Sequence, residues 1–176
     1  MIIKELTQVG NPILKSKAKS VSSIGSKETQ GVVTNLIDSI HYHDLVGMAA
    51  SQIGEKLRIF VTELRKTKFR DEDTDKLRVY INPKIIWFSK KQVVIYEGCG
   101  SVASGNLFGP VRRPEKIEVE AFDEKGNSFR LRAGGLLSRV IQHEYDHLEG
   151  IEFTEKITDM RKIMSLGEYL KMKSKN

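Results

Sequence analysis

The segment Gln142-His143-Glu144-Tyr145-Asp146-His147 carries two imidazoles and a carboxylate at fixed spacing. An α-helix turns about 100° per residue, so positions four apart lie about 40° from each other on one face. His143 and His147 can therefore ligate one ion together. Glu144 adjoins the first of them and can bring its carboxylate toward a water held at that ion. The cation makes the water more acidic, and the carboxylate accepts the proton as attack begins. The chemistry this predicts is metal-assisted hydrolysis.

Two histidines are too few for a catalytic ion, which takes three protein ligands and keeps one position open. The sequence offers two ways to supply the third. One is a downstream acid such as Glu168. The other is Cys99, the only cysteine in the chain, which excludes an intramolecular disulfide. Cys99 sits in Glu97-Gly98-Cys99-Gly100-Ser101, just after a strand-like run. The glycines on either side allow close backbone approach, and a nearby cation would hold the thiol as thiolate. An inert cysteine is more often a small hydrophobe embedded in apolar surroundings. A third segment, Leu45-Val46-Gly47-Met48-Ala49-Ala50-Ser51-Gln52-Ile53-Gly54, is rich in small residues. Its Gln52 can offer an amide N–H to a developing oxyanion, although such a run is more often a packing feature.

The elements that must hold these side chains follow from periodicity. Val32, Val33, Leu36, Ile37 and Ile40 repeat at helical spacing and predict an amphipathic helix from Lys27 to about His43. Strands are predicted over Leu57–Glu63, Leu77–Ile81, Ile85–Phe88, Gln92–Tyr96, Ile117–Phe122 and Ser128–Arg132. Glu63 to Lys76 is crowded with charge and reads as a surface connection. Asp123-Glu124-Lys125-Gly126-Asn127 reads as a hairpin turn. Leu136–Leu148 is the predicted metal helix, closed by Gly150. A last helix is predicted from near Asp159, with Met160, Ile163, Met164 and Leu170 as its apolar stripe and Lys171, Lys173 and Lys175 as a basic tail. The fold class is α+β: short, mostly antiparallel sheets around a central metal-binding helix, with one helix N-terminal and one C-terminal to them.

The chain has 176 residues, 39% of them hydrophobic and 30% charged, which suits one catalytic domain over 1–176 with a substantial core. No run approaches the roughly 18 apolar residues needed to span a bilayer. Met1 to Leu6 shows neither a signal-peptide core nor a cleavage site, so the expected location is the cytoplasm with no membrane partner. The formal net charge of +6 gives weak attraction to polyanions. No nucleic-acid-binding signature accompanies it, so sequence-specific nucleic-acid binding is not expected.

Taken together and in order, the three segments resemble the peptide deformylase family. Its motifs are Gly-x-Gly-Leu-Ala-Ala-x-Gln, Glu-Gly-Cys-Leu-Ser and Gln-His-Glu-x-Asp-His. Residues 45–52, 97–101 and 142–147 match them in that order. The resemblance implies one divalent ion held by Cys99, His143 and His147, ferrous iron being expected, with zinc or nickel as alternatives in isolated protein. The ligand set alone would suit zinc equally well. The resemblance further implies Glu144 as general base and then acid, and the Gln52 amide and Gly100 backbone N–H as oxyanion donors. Leu45, Val46, Gly47, Glu97 and Arg139 fall along the implied substrate site. The implied substrate is the formylated N-terminus of new polypeptides, and the basic C-terminal region suggests ribosome contact.

Three positions depart from the family pattern. Leu45 stands where the first motif begins with glycine, beside the expected substrate channel. Gly100 stands where the second motif has leucine, which keeps the backbone donor but loosens the loop. Arg139 lies four residues before His143, on the metal-bearing face of the helix. A guanidinium there must reach solvent or receive a carboxylate. If its charge faces the substrate, preference should shift from methionine toward a polar or acidic first residue or another formylated substrate. The rival readings are a metalloprotease using Glu168 and an inactive, ribosome-docking relative. The intact Glu144 and Gln52 argue against the second.

Overall fold

The computed structural model describes residues 4–66 and 74–175. Half of the charged Glu63–Lys76 stretch, residues 67–73, lies outside them, as do the first three residues. Ser26 opens the first helix, Lys27–Tyr42 (α1), by accepting from Thr29 N–H, the role Ser plays at an N-cap. Val32, Val33, Leu36 and Ile40 are buried on its inner face. They pack with Met48, Ile59, Val61, Val79 and Ile81 into one core. Each such side chain contributes about 1.5–3 kcal/mol when removed from water.

Five antiparallel strands form the larger sheet: Gly47–Ala49 (β1), Ile59–Leu64 (β2), Asp75–Phe88 (β3), Lys116–Phe122 (β6) and Ser128–Gly134 (β7), in the order β1-β2-β3-β6-β7. A smaller antiparallel sheet joins Gln92–Gly98 (β4), Leu107–Pro114 (β5) and Met164–Ser165 (β8). The metal helix runs Gly135–Leu148 (α2). Its Ile141 and Leu148 join Phe60, Tyr80, Ile117 and Val119 in a second core. Its other face meets the small sheet through polar contacts, Gln142 Nε2 donating to Pro114 O at 3.0 Å and Arg139 Nη1 to Val111 O at 3.0 Å. The helix therefore spans the space between the two sheets. Gly150 ends it in the left-handed region at φ 73°, and a Cβ there would lie 2.5 Å from Lys15 O. Ala18 N–H donates to Leu148 O and Ile151 N–H to Asp146 O, satisfying carbonyls at the helix end.

The α+β class, the antiparallel sheets and the Asp123–Asn127 turn match the sequence expectation; Asp123 N–H donates to Asn127 O at 2.9 Å. Three elements differ. The strands predicted over Leu77–Ile81 and Ile85–Phe88 are one strand, β3, with Asn82 at φ 51° inside it. Asn82 tolerates that conformation because its carboxamide exchanges two hydrogen bonds with the backbone of Val21. Strand β5 was hidden by Gly109, Pro110 and Pro114, residues that argue against a strand. Gly109 is needed there, since a Cβ would lie 2.7 Å from Ile157 Cδ1.

The last helix does not begin near Asp159. That residue caps a single turn, Met160–Lys162, and Met164–Ser165 then pairs with β5. Ser165 caps the helix proper, Leu166–Lys173 (α3), by accepting from Glu168 N–H. The sequence holds two N-cap residues, and the open edge of β5 takes up the strand between them. Met160 is consequently 63% exposed and lies on no apolar stripe. Tyr169 docks α3 by stacking on Phe108 at 4.3 Å between ring centroids.

Candidate metal centre

Cys99 follows β4, while His143 and His147 project from α2 one turn apart. Their ligand atoms lie within 4.8 Å of one another. Cys99 Sγ and His147 Nε2 are 3.2 Å apart, near the roughly 3.5 Å between a thiolate and an imidazole nitrogen on one tetrahedral ion. His143 Nδ1 lies 3.0 Å from Glu97 Oε2. With the proton on Nδ1, that bond leaves Nε2 free for an ion. A soft sulfur with two imidazoles suits iron or zinc, and the residues present fit such an ion. Glu168 is excluded as a ligand, being an exposed residue of α3 paired with Lys171 at 2.7 Å.

Charge around the ligands is arranged by a buried network. Glu97 accepts from Arg113 through Nε at 2.6 Å and Nη2 at 2.9 Å, and from Arg139 Nη1 at 2.8 Å. Burial alone would raise its pKa, but Arg113 and His143 outweigh that and hold the carboxyl well below the usual carboxylate range. Arg113 also donates to Asp146 Oδ2 at 2.6 Å, and Lys156 reaches Asp146 Oδ1 at 2.7 Å. Burial works against the charge of Arg113, and its two acidic partners more than restore it. The sequence reading missed Arg113. The available signal was chemical: two acids beside metal ligands call for a buried cation, and Arg112-Arg113 stood nearby.

Arg139 does not reach solvent. It is 5% exposed, and besides Glu97 it donates to Val111 O and Val93 O. The carboxylate it receives comes from the cysteine motif itself, so Glu97 serves as a hub behind His143.

Glu144 is buried, and its Oε2 has no hydrogen-bond partner. Burial pushes its pKa up to about 7. Gly47 on β1 makes room for it, because a Cβ there would lie 2.5 Å from Glu144 Oε1 and 2.6 Å from Val140 Cγ1. The neighbouring Val46 accepts from Glu63 N–H, and Leu45 O accepts from Arg65. Gln52 is held by its Oε1, which accepts from Ala49 N–H at 2.7 Å. Its Nε2 is thereby turned toward Ser101 Oγ at 3.4 Å and Cys99 Sγ at 3.5 Å.

In the chain without an ion, burial lowers the pKa of His143, yet hydrogen bonds with Cys99 and Glu97 overcome this and raise it well above its ordinary value. Burial and the neighbouring His143 lower that of His147. An ion replaces protons here, so loading releases them.

An α+β frame whose helix carries His-Glu-x-x-His, with a cysteine sulfur brought in from a separate sheet, defines a mononuclear metal-dependent hydrolase. Comparison with known proteins narrows this. A family profile described as polypeptide deformylase matches residues 3–163. The peptide deformylase of Dictyoglomus turgidum is 39% identical over 158 residues, covering 90% of this chain and 95% of that protein. That of Pelagibacter ubique is 34% identical, covering 99% and 97%. Among solved structures, a peptide deformylase from Synechococcus elongatus superposes with a TM-score of 0.80 at 33% identity, over 97% of this chain and 86% of that one. One from Acinetobacter baumannii gives 0.83 at 29% identity, over 89% and 99%. The chain belongs to the polypeptide deformylase family.

Proposed function

We propose that this protein removes the formyl group from the N-terminal formyl-methionine of new polypeptides, releasing formate and a free amine. The observation that carries the reading is the convergence of Cys99, His143 and His147 within 4.8 Å, beside a buried Glu144 with an unpartnered oxygen. We infer ferrous iron as the ion, on the family resemblance and the mixed sulfur and nitrogen donors. When bound, the ion polarises the formyl carbonyl and makes water acidic enough to attack.

The rest falls to the chain's own residues. Glu144 takes a proton from the attacking water and delivers it to the departing nitrogen, a task suited by a pKa near neutrality. Gln52 Nε2 and Gly100 N–H receive the negative charge that develops on the formyl oxygen. Leu45, Val46 and Gly47 line the channel for the peptide.

The Synechococcus structure is in complex with actinonin, and an Acinetobacter one is bound to Met-Ala-Ser. By analogy this site takes a methionine-led peptide. The pairing of Arg139 with Glu97 supports that substrate over an acidic one, since the guanidinium is already matched. We further infer that residues 1–176 act as one catalytic domain in the cytoplasm, consistent with no described helix being long and apolar enough to cross a membrane. Lys171, Lys173 and Lys175 leave α3 with an exposed basic end suited to ribosomal RNA.

Anaerobic assay of formate release from formyl-Met-Ala by the iron-loaded protein tests the main reading. Turnover is expected. Stoichiometric metal without formate release would overturn it.

A further inference from the structure

Leu45 and Gly100 each depart from the family motifs, and they touch. A Cβ built on Gly100 would lie 3.1 Å from Leu45 Cδ1 and 2.8 Å from Leu6 Cδ1. Gly100 is not among the residues with positive φ. Space, rather than backbone conformation, excludes a side chain there. The volume that leucine would fill at position 100 is filled from the other side by Leu45 and Leu6. The loop with the smaller residue is therefore packed, not slack.

The chain around Leu6 also ties both halves of the oxyanion site. Thr7 N–H donates to Gln52 O at 2.8 Å, and Val9 N–H donates to Ser101 O at 2.7 Å. Between them, Gln8 Nε2 donates to Gly100 O at 2.9 Å, while its Oε1 accepts from Ser104 N–H at 3.0 Å. Val102 N–H donates to Cys99 O at 3.0 Å. The Cys99–Gly100 peptide is planar, so fixing its carbonyl fixes the direction of the Gly100 N–H. The Gly100 carbonyl, held by Gln8, fixes the next peptide.

We propose that Leu6, Gln8 and Leu45 are positioning residues for the reaction, holding the Gly100 N–H in register with the Gln52 amide. Leu45 and Gly100 form a size exchange across that contact. None of the three touches the reacting atoms; each acts through the Gly100 loop. This rests on Gly100 and Gln52 being the oxyanion donors, as proposed above. A misplaced donor lowers kcat far more than it changes substrate binding.

Two sets of variants test it, read by kinetics and by exchange of the Gly100 amide proton in zinc-loaded, 15N-labelled protein. Gln8→Met roughly keeps the volume and removes the side-chain hydrogen bonds to Gly100 O, Ser104 N–H and Leu6 O. It is expected to lower kcat about tenfold with KM changed less than about twofold, and to speed Gly100 exchange about tenfold. Gly100→Leu alone is expected to lower the melting temperature and kcat, and Leu45→Gly with Gly100→Leu to recover kcat to within about fivefold of the parent. Unchanged Gly100 exchange and kcat in Gln8→Met, or a double variant no better than Gly100→Leu, would overturn the proposal. A parent protein that releases no formate, while Gly100 exchange still responds to Gln8→Met, would overturn the functional reading instead and leave the positioning intact.

Discussion

Burying Glu144 carries a cost in stability. Its pKa rises from 4.5 to about 7 because burial disfavours the charged form. The folded, metal-free chain holds the proton to higher pH than the unfolded chain does. The stability this contributes is fully present below about pH 4.5 and is lost as pH climbs through about 7. Glu144→Gln removes that dependence. Metal-free Glu144→Gln should therefore exceed the metal-free parent at pH 8 by on the order of 3 kcal/mol in urea unfolding. The two should converge toward pH 4.5, and formate release by the loaded variant should vanish. A gap that fails to open with pH would contradict the burial argument. Cys99 makes the complementary case: Cys99→Ala should lose the ion on dialysis while keeping the far-ultraviolet spectrum, as measured by metal content. The placement of His143, Glu144 and His147 was legible in the sequence because one helical repeat fixes them relative to one another. Arg113 and the Glu97 hub were not, because their partners lie 16 to 46 residues away in sequence and meet only through pairing of β4 with β5 and docking of α2.

At the scale of elements, the site depends on how closely β1 approaches α2. Gly47 is the point of contact, where β1 runs against Val140 and Glu144. Gly47→Ala must push the carboxylate or the helix away. It should cost about 1–3 kcal/mol in unfolding free energy and lower kcat at least about tenfold by displacing the general base. A parent-like kcat would show that the carboxylate does not work from this position. The element-level reading of the sequence succeeded where one period ran uninterrupted, as in α1 with Val32, Val33, Leu36 and Ile40. It failed where backbone pairing overrode composition. Strand β5 forms through Gly109 and Pro110 because β4 lies antiparallel beside it, Tyr96 opposite Pro110 and Glu97 opposite Gly109. Strand β8 forms from two residues because β5 has a free edge at Leu107 and Phe108. No window of local sequence contains either partner.

Across the whole molecule, an ion held by Cys99, His143 and His147 would tie two sheets together. Cys99 hangs from the end of β4 in the small sheet, whereas both histidines ride on α2, whose apolar face is bound into the core of the large sheet. Polar contacts also join α2 to the small sheet: Arg113 with Asp146, Arg139 with Glu97 and the carbonyls of Val93 and Val111, His143 with Glu97, and Gln142 with the carbonyl of Pro114. An ion bound by the native chain and not by the unfolded one stabilises by about 2.7 kcal/mol at a hundredfold excess over Kd. For a chain of this size that corresponds to roughly 5–10 °C in melting temperature. Chelation should lower the melting temperature by that amount, and Cys99→Ala should show no response to chelator. The response should also grow with pH. Without the ion His143 is held protonated by Cys99 and Glu97, so loading must expel a proton and is weakened in acid. Differential scanning calorimetry with and without chelator, at several pH values, measures both effects. A chelation response that is equal in Cys99→Ala and the parent, or one that shrinks as pH rises, would mean that the ion does not bridge the sheets through this thiol.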